Sequence, residues 1–272
     1  MDFNLSEEQQ MLRNSARDFL TTECPKSVVR ELEASESGHL PELWQKMADL
    51  GWTGLPIPEV YGGAGLSLLD LAVLFEEIGR AAMPGPLFAT VVLGAMPIAE
   101  CGTEEQKKTI LPKVAAGKLI LTLALSEPEV LSDLKWIATK AVREGDGFSL
   151  TGTKVFVPYA HIADSILVAA RTSGSPGEEK GLTVFIVDAK APGIALTPLK
   201  SIAADKVCEV VFDRARISPD SVLGKIDEGM AVIGPALTRA RAIQCAEMVG
   251  GAQQELEITA EYTKKRVQFN RP

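Results

Sequence analysis

The spacing of apolar residues changes twice along this chain, and those two changes constrain the architecture more than any motif. Up to about residue 118 the spacing is helical: Leu12, Ala16, Phe19 and Leu20 fall at i, i+4, i+7 and i+8. From about 119 the runs are short and rich in β-branched residues: "LILTLAL" (119–125), "GFSLTGTKVFV" (147–157), "SILVAAR" (165–171), "GLTVFIVD" (181–188), "IALTPL" (194–199) and "KVCEVVFDRARI" (206–217). Gly, Pro, Asp and Ser punctuate them, so the spacing predicts six or seven strands in an all-β barrel or sandwich. After "LGKIDEG" (223–229) the helical period returns to about residue 268, broken at Gly234-Pro235 and Gly250-Gly251. Two helices there cannot bury their apolar faces alone and need the N-terminal helices, or further chain, to pack on.

Local signals sharpen the first part. Ser6 with Gln9 forms a capping box, and Glu7 and Glu8 suit the helix dipole. "PELWQKMADLG" (41–51) starts with Pro and ends with Gly, the asymmetry of a short helix. "SLLDLAVLFEEIGR" (67–80) is apolar almost all round and reads as a buried helix. "TEEQKKTILPKVAAGK" (103–118) opens on Thr103 with Gln106 three residues on and closes near Gly117.

Several function classes drop out. The 272 residues are enough for two domains, and a net charge of −8 with no basic run denser than Lys107-Lys108 or Lys264-Lys265-Arg266 argues against nucleic acid. "MDFNLSEEQQ" lacks the basic start and apolar stretch of a signal peptide, and no run approaches the roughly 18 apolar residues of a membrane span. Cys24, Cys101, Cys208 and Cys245 are scattered and read as free, buried or half-buried thiols in a reducing, cytoplasmic compartment. With His39 and His161 as the only histidines, no metal site is expected. "YGGAGLS" (61–67) lacks dinucleotide and Walker spacing and reads as a tight turn before the buried helix. No G-x-S-x-G elbow is present.

Taken in order, "LPIPEVYGGAGLSLLDLAVLFEEIGRA" (55–81), "CGTEEQKKTILPKVAAGK" (101–118), "ALSEPEVLSD" (124–133), "GTKVFVPYAHIADSILVAAR" (152–171) and "RVQF" (266–269) closely resemble the acyl-CoA dehydrogenase family across essentially the whole chain. The resemblance implies an α+β protein: an N-terminal all-α domain over 1–118, a middle β-barrel domain over 119–224, and over 225–272 the start of a C-terminal helical bundle left incomplete, the chain matching about the first two thirds of such a protein. It implies FAD as cofactor and α,β-dehydrogenation of an acyl-CoA thioester to a trans-2-enoyl-CoA in fatty-acid metabolism. An electron-transfer flavoprotein is then the electron acceptor. The resemblance also implies a homodimer or tetramer, or a hetero-oligomer in which this chain is a non-catalytic or half-site subunit.

The resemblance also assigns residues. Where the family reads T-E-P-G-A-G-S-D, Ser126 takes the flavin-holding hydroxyl position, flanked by Leu123, Leu125 and Leu131, and Ser132 lies between flavin and the substrate's pantetheine arm. Glu127, Pro128 and Asp133 shape the turn. The family's G-A-G is here Glu129-Val130-Leu131, which restricts backbone that must come close to a ligand and implies weaker FAD binding. The family's W-I-T is here Phe156-Val157-Pro158, which keeps an aromatic face but replaces a hydroxyl donor by Pro158, which cannot donate. Thr238 and Arg241 correspond to the substrate side, and Arg266 with Phe269 to the R-x-x-F that reaches the flavin pyrophosphate across a dimer interface. The catalytic carboxylate is expected beyond Pro272. At the alternative position used by a minority of the family stands Ala240.

Overall fold

The computed structural model describes residues 4–129 and 133–268. Both expected caps are formed, and a third was not foreseen: helix α1 (Glu7–Glu23) starts on the Ser6–Gln9 box and α6 (Glu104–Ala115) on the Thr103–Gln106 box, while α4 (Leu68–Ala81) starts on a Ser67–Asp70 box. Between them lie α2 (Lys26–Ala34), α3 (Pro41–Asp49), a π-helical stretch Phe88–Ala95 and α5 (Met96–Cys101). "YGGAGLS" is the turn that precedes α4, with Gly62 in the left-handed region at φ 82°.

Eight strands follow: β1 (Leu121–Ala124), β2 (Lys140–Glu144), β3 (Gly147–Pro158), β4 (Ser165–Arg171), β5 (Leu182–Asp188), β6 (Ile194–Leu199), β7 (Val207–Ile217) and β8 (Val222–Leu223). They form one mixed sheet in the order β6-β7-β3-β2-β4-β5-β8, with β1 added parallel to β4. This corrects the expected barrel. Among the described residues β6 pairs only with β7, and two-residue β8 only with β5, so the sheet stays open.

Alternation splits the sheet between two cores. Leu121, Leu123, Leu167 and Ala169 join Ile98, Leu111 and Val114 of the helices, whereas Ala124, Ile166, Val168 and Val157 pack with Phe148, Phe185 and Phe212 in a core enclosed by the sheet's other face. Strand β4 is therefore buried on both faces, which explains its unbroken apolar run.

The last helix is also a correction. A single helix, α7 (Gly229–Lys265), runs through both expected breaks. Pro235 sits in its second turn, near the end where few backbone bonds are lost. Gly250 is required by packing rather than by a bend.

The chain divides into two compact units. One comprises Met1–Glu31, Ser67–Pro84 and Arg241–Pro272, the other Leu32–Leu66 and Gly85–Ala240. In the first, α1 packs on α4 through Arg13, 3.2 Å from Glu76, and through Arg17, which donates to both oxygens of buried Glu77 at 2.8 and 2.6 Å. Helix α7 meets α4 backbone to backbone. A Cβ built on Gly79 would lie 1.9 Å from the Glu247 carbonyl oxygen, and one on Gly250 would lie 1.7 Å from that of Glu76. The second unit holds the sheet and the candidate site.

Of the four thiols, Cys24 and Cys208 are buried and Cys101 half-buried, but Cys245 is exposed on α7, contrary to expectation. Among the described residues no helix is long and apolar enough to cross a membrane, and no group of three or more His, Cys, Asp or Glu is placed to hold a metal ion.

Candidate active site

The candidate site is a recess of about 230 Å³ in the sheet-bearing unit, lined by Leu93, Leu123, Leu125, Ser126, Val155, Phe156, Pro158 and Leu237. Four chain segments meet there. Strand β1 runs parallel beside β4 and ends at Ala124, delivering Leu125 and Ser126 to the rim. The π-helical stretch holds the start of β1 through Thr90, whose hydroxyl donates to the Leu121 carbonyl and accepts from its N–H at 3.3 Å, and it supplies Leu93. Helix α7 supplies Leu237.

The fourth segment is the end of β3. Its register against β7 slips between Lys154↔Val210 and Val157↔Cys208, so one extra residue stands on β3. This is a β-bulge, a device that re-aims a side chain. The bulged Phe156 has φ 55°, a left-handed conformation that costs a bulky residue roughly 1–2 kcal/mol. The residue is 55% exposed and lines the recess. Val157 returns to the core at 1% exposure.

Behind the recess lies an interaction that sequence reasoning missed. Lys154 is fully buried, and its Nζ donates to Glu127 Oε1 at 2.8 Å and to the Leu125 carbonyl at 3.0 Å. Glu127 accepts from the Ala138 N–H at 2.7 Å and the Thr139 N–H at 3.0 Å. Next along β3, the Val155 N–H donates to the Ser126 carbonyl at 2.9 Å. Burial pushes the Lys154 ammonium down to about 8, against the pull of Glu127. Burial alone would raise the Glu127 carboxyl, but the Lys154 charge and the donated hydrogen bonds outweigh it and hold the group below its ordinary value. Arg171, also buried, donates to the carbonyls of Ile137, Lys135, Lys180 and Glu178 and secures the far side of the same segment.

Of the sequence-predicted residues, the structure gathers Leu123, Leu125, Ser126, Phe156 and Pro158 around one recess and puts Val157 beneath it. Thr238 is exposed on α7, its hydroxyl donating to the Gly234 carbonyl at 3.0 Å. Arg241 and Arg266 are exposed and belong to the other unit. Leu131, Ser132 and Phe269 lie outside the described residues. Leu93, Val155 and Leu237 were not foreseen. Val155 and Leu237 carried a signal only as the neighbours of Phe156 and Thr238.

The lining is apolar with one hydroxyl, one exposed aromatic ring and the backbone of a strand end. That set suits a flat ring system with a polar edge. Among the described residues it includes no carboxylate.

Comparison with known proteins matches three consecutive family models: the acyl-CoA dehydrogenase N-terminal domain over residues 6–118, middle domain over 122–215 and C-terminal domain over 227–272. A probable acyl-CoA dehydrogenase, YngJ of Bacillus subtilis (strain 168), is 32% identical over 279 residues, covering 100% of this chain and 72% of that protein. The caffeyl-CoA reductase–Etf complex subunit CarC of Acetobacterium woodii is 30% identical over 272 residues, covering 98% and 71%. Among solved structures, a steroid acyl-CoA dehydrogenase variant, Tcur3481-Tcur3483, is 38% identical with a TM-score of 0.85, covering 98% of this chain and 69% of its own. The chain belongs to the acyl-CoA dehydrogenase family.

Proposed function

We propose that the recess is the flavin-ring site of an FAD-dependent oxidoreductase acting on the Cα–Cβ bond of an acyl-CoA thioester, in the direction of the enoyl-CoA. Members of the family are FAD flavoproteins. The observation that carries the reading is the meeting of Leu125-Ser126 with Phe156 and Pro158, about 30 residues apart in sequence, around one recess. Bound FAD supplies a hydride acceptor. The chain's own residues hold and shield it. Phe156 offers a ring face for packing, Ser126 and the strand end offer polar groups to a ring edge, and Leu93, Leu123 and Leu237 exclude water. Pro158 donates nothing, so this site lacks one hydrogen bond that the family's Thr supplies. Ser132 and Arg241 are assigned to the CoA arm, Arg266 and Phe269 to the pyrophosphate, and an electron-transfer flavoprotein to the acceptor role, supported for the last by the Etf-linked relative.

A second reading is favoured by one observation. Removing the α proton needs a positioned carboxylate; among the described residues the recess has none, and Ala240 stands at the position that a minority of the family uses for it. In that reading the chain is a half-site subunit, its base contributed by a different polypeptide. The name of the steroid relative joins two proteins, which agrees with such an arrangement.

The test is to reconstitute the chain with FAD and add acyl-CoA anaerobically. Retention of a visible flavin spectrum supports the ring site, and failure to bind FAD overturns it. Bleaching only on addition of a second subunit selects the half-site reading, and bleaching by the chain alone rejects it.

A further inference from the structure

We infer that Lys154 is a positioning residue for the proposed flavin site, a buried clamp that sets both walls of the recess from behind. The inference deepens the flavin reading and rests on it. A lysine with 0% exposure is rare, because taking an ammonium out of water is unfavourable unless it is paired and hydrogen-bonded. Lys154 does more than stay neutralised. Its Nζ holds the Leu125 carbonyl at 3.0 Å and the Glu127 carboxylate at 2.8 Å, the two residues that flank Ser126. Through Glu127 the hold passes to the Ala138 and Thr139 N–H groups, so the outgoing and returning arms of the 125–139 segment are tied to one atom. Lys154 is also the last residue of β3 in register before the bulge that turns Phe156 outward, and its neighbour Val155 binds the Ser126 carbonyl. One side chain thus fixes the rim that carries Ser126, and its own backbone anchors the bulge that carries the aromatic wall. Because the positive charge is matched by Glu127 at contact distance, the role is to place groups rather than to supply a net field.

The experiment uses the 272-residue chain as wild type and Lys154→Met, with two readings: FAD affinity of the apo-protein by flavin fluorescence quenching, and hydrogen exchange over residues 123–139. A cooperative thermal transition and an unchanged far-UV spectrum identify folded variant. In folded Lys154→Met the exchange of 123–139 rises at least tenfold while that of β4 and β5 stays as in wild type, and FAD affinity falls at least tenfold. Unchanged exchange and unchanged affinity in the folded variant overturn the clamp. Faster exchange without loss of affinity also overturns it, as the lysine would then be merely structural. If wild type itself binds no FAD, the flavin reading fails, and the exchange arm still shows whether Lys154 holds the segment. Should Lys154→Met not fold, both readings pass to Lys154→Gln, which keeps a donor for the Leu125 carbonyl. Failure of both to fold makes Lys154 a requirement of the whole sheet and overturns the local role.

Discussion

Phe156 shows how one residue can trade stability for presentation. Its left-handed backbone is unfavourable for an aromatic residue, yet among the described residues it carries the only aromatic ring lining the recess. Phe156→Gly relieves the strain but adds the disorder of glycine to the unfolded chain, terms of about 1 kcal/mol each. The expected result is a melting temperature within a few degrees of wild type, with FAD affinity lower by about 0.5–1.5 kcal/mol, read by fluorescence titration. Glu127 gives a pH prediction. Its folded-state carboxyl titrates below the unfolded value, so its contribution to stability is complete above the ordinary carboxylate range and is lost as pH falls through the folded value. Urea midpoints compared at pH 7 and pH 4 should fall further in wild type than in Glu127→Gln, which has lost that contribution at every pH. Phe156 was assigned to the flavin and Glu127 to the turn by resemblance, but neither the bulge that turns Phe156 outward nor the burial of Lys154 was readable from the sequence. Burial on both faces of a sheet is not written in a period of two.

Elements with local hydrogen-bonding signals were legible. The capping boxes at Ser6 and Thr103, the Pro41 start of α3 and the glycine turn before α4 were readable because each is decided within four or five residues. The openness of the sheet and the unity of α7 were not, because they depend on partners far along the chain; β2 pairs with adjacent β3 but buries only Ala141, so it has no apolar run to read. Gly250 and Gly251 look alike in sequence but differ in what faces them. A methyl on Gly79 or Gly250 meets a carbonyl oxygen of the facing helix at under 2 Å, whereas one on Gly251 meets its nearest atom at 3.5 Å. Gly79→Ala and Gly250→Ala should each destabilise by about 2–3 kcal/mol through forced separation of α4 and α7. Gly251→Ala should be neutral or stabilising by up to about 1 kcal/mol, as expected for alanine in a helix. Chemical denaturation of the three variants checks the contrast.

At the scale of the molecule, the recess was half legible. The segment beginning at Ser126 and the end of β3 were found by resemblance, but the walls from the π-helical stretch and α7 required the fold. The absence of a carboxylate among the described lining residues leads to a gain-of-function prediction. Leu237 lines the recess, and Ala240 lies three residues on along the same side of α7. Ala240→Glu should give slow acyl-CoA-dependent bleaching of bound flavin where wild type gives none, with general-base assistance worth about 10²–10⁴-fold. Stopped-flow absorbance at the flavin band measures it. A last consequence follows from the crossing of α4 and α7. Most protein contacts drift over evolutionary time because a larger residue on one side can be matched by a smaller one opposite. Here each glycine faces main chain, which every amino acid carries alike, so no compensating replacement exists. Descendants of this sequence can vary almost everywhere on both helices, but at Gly79 and Gly250 the alphabet has a single letter.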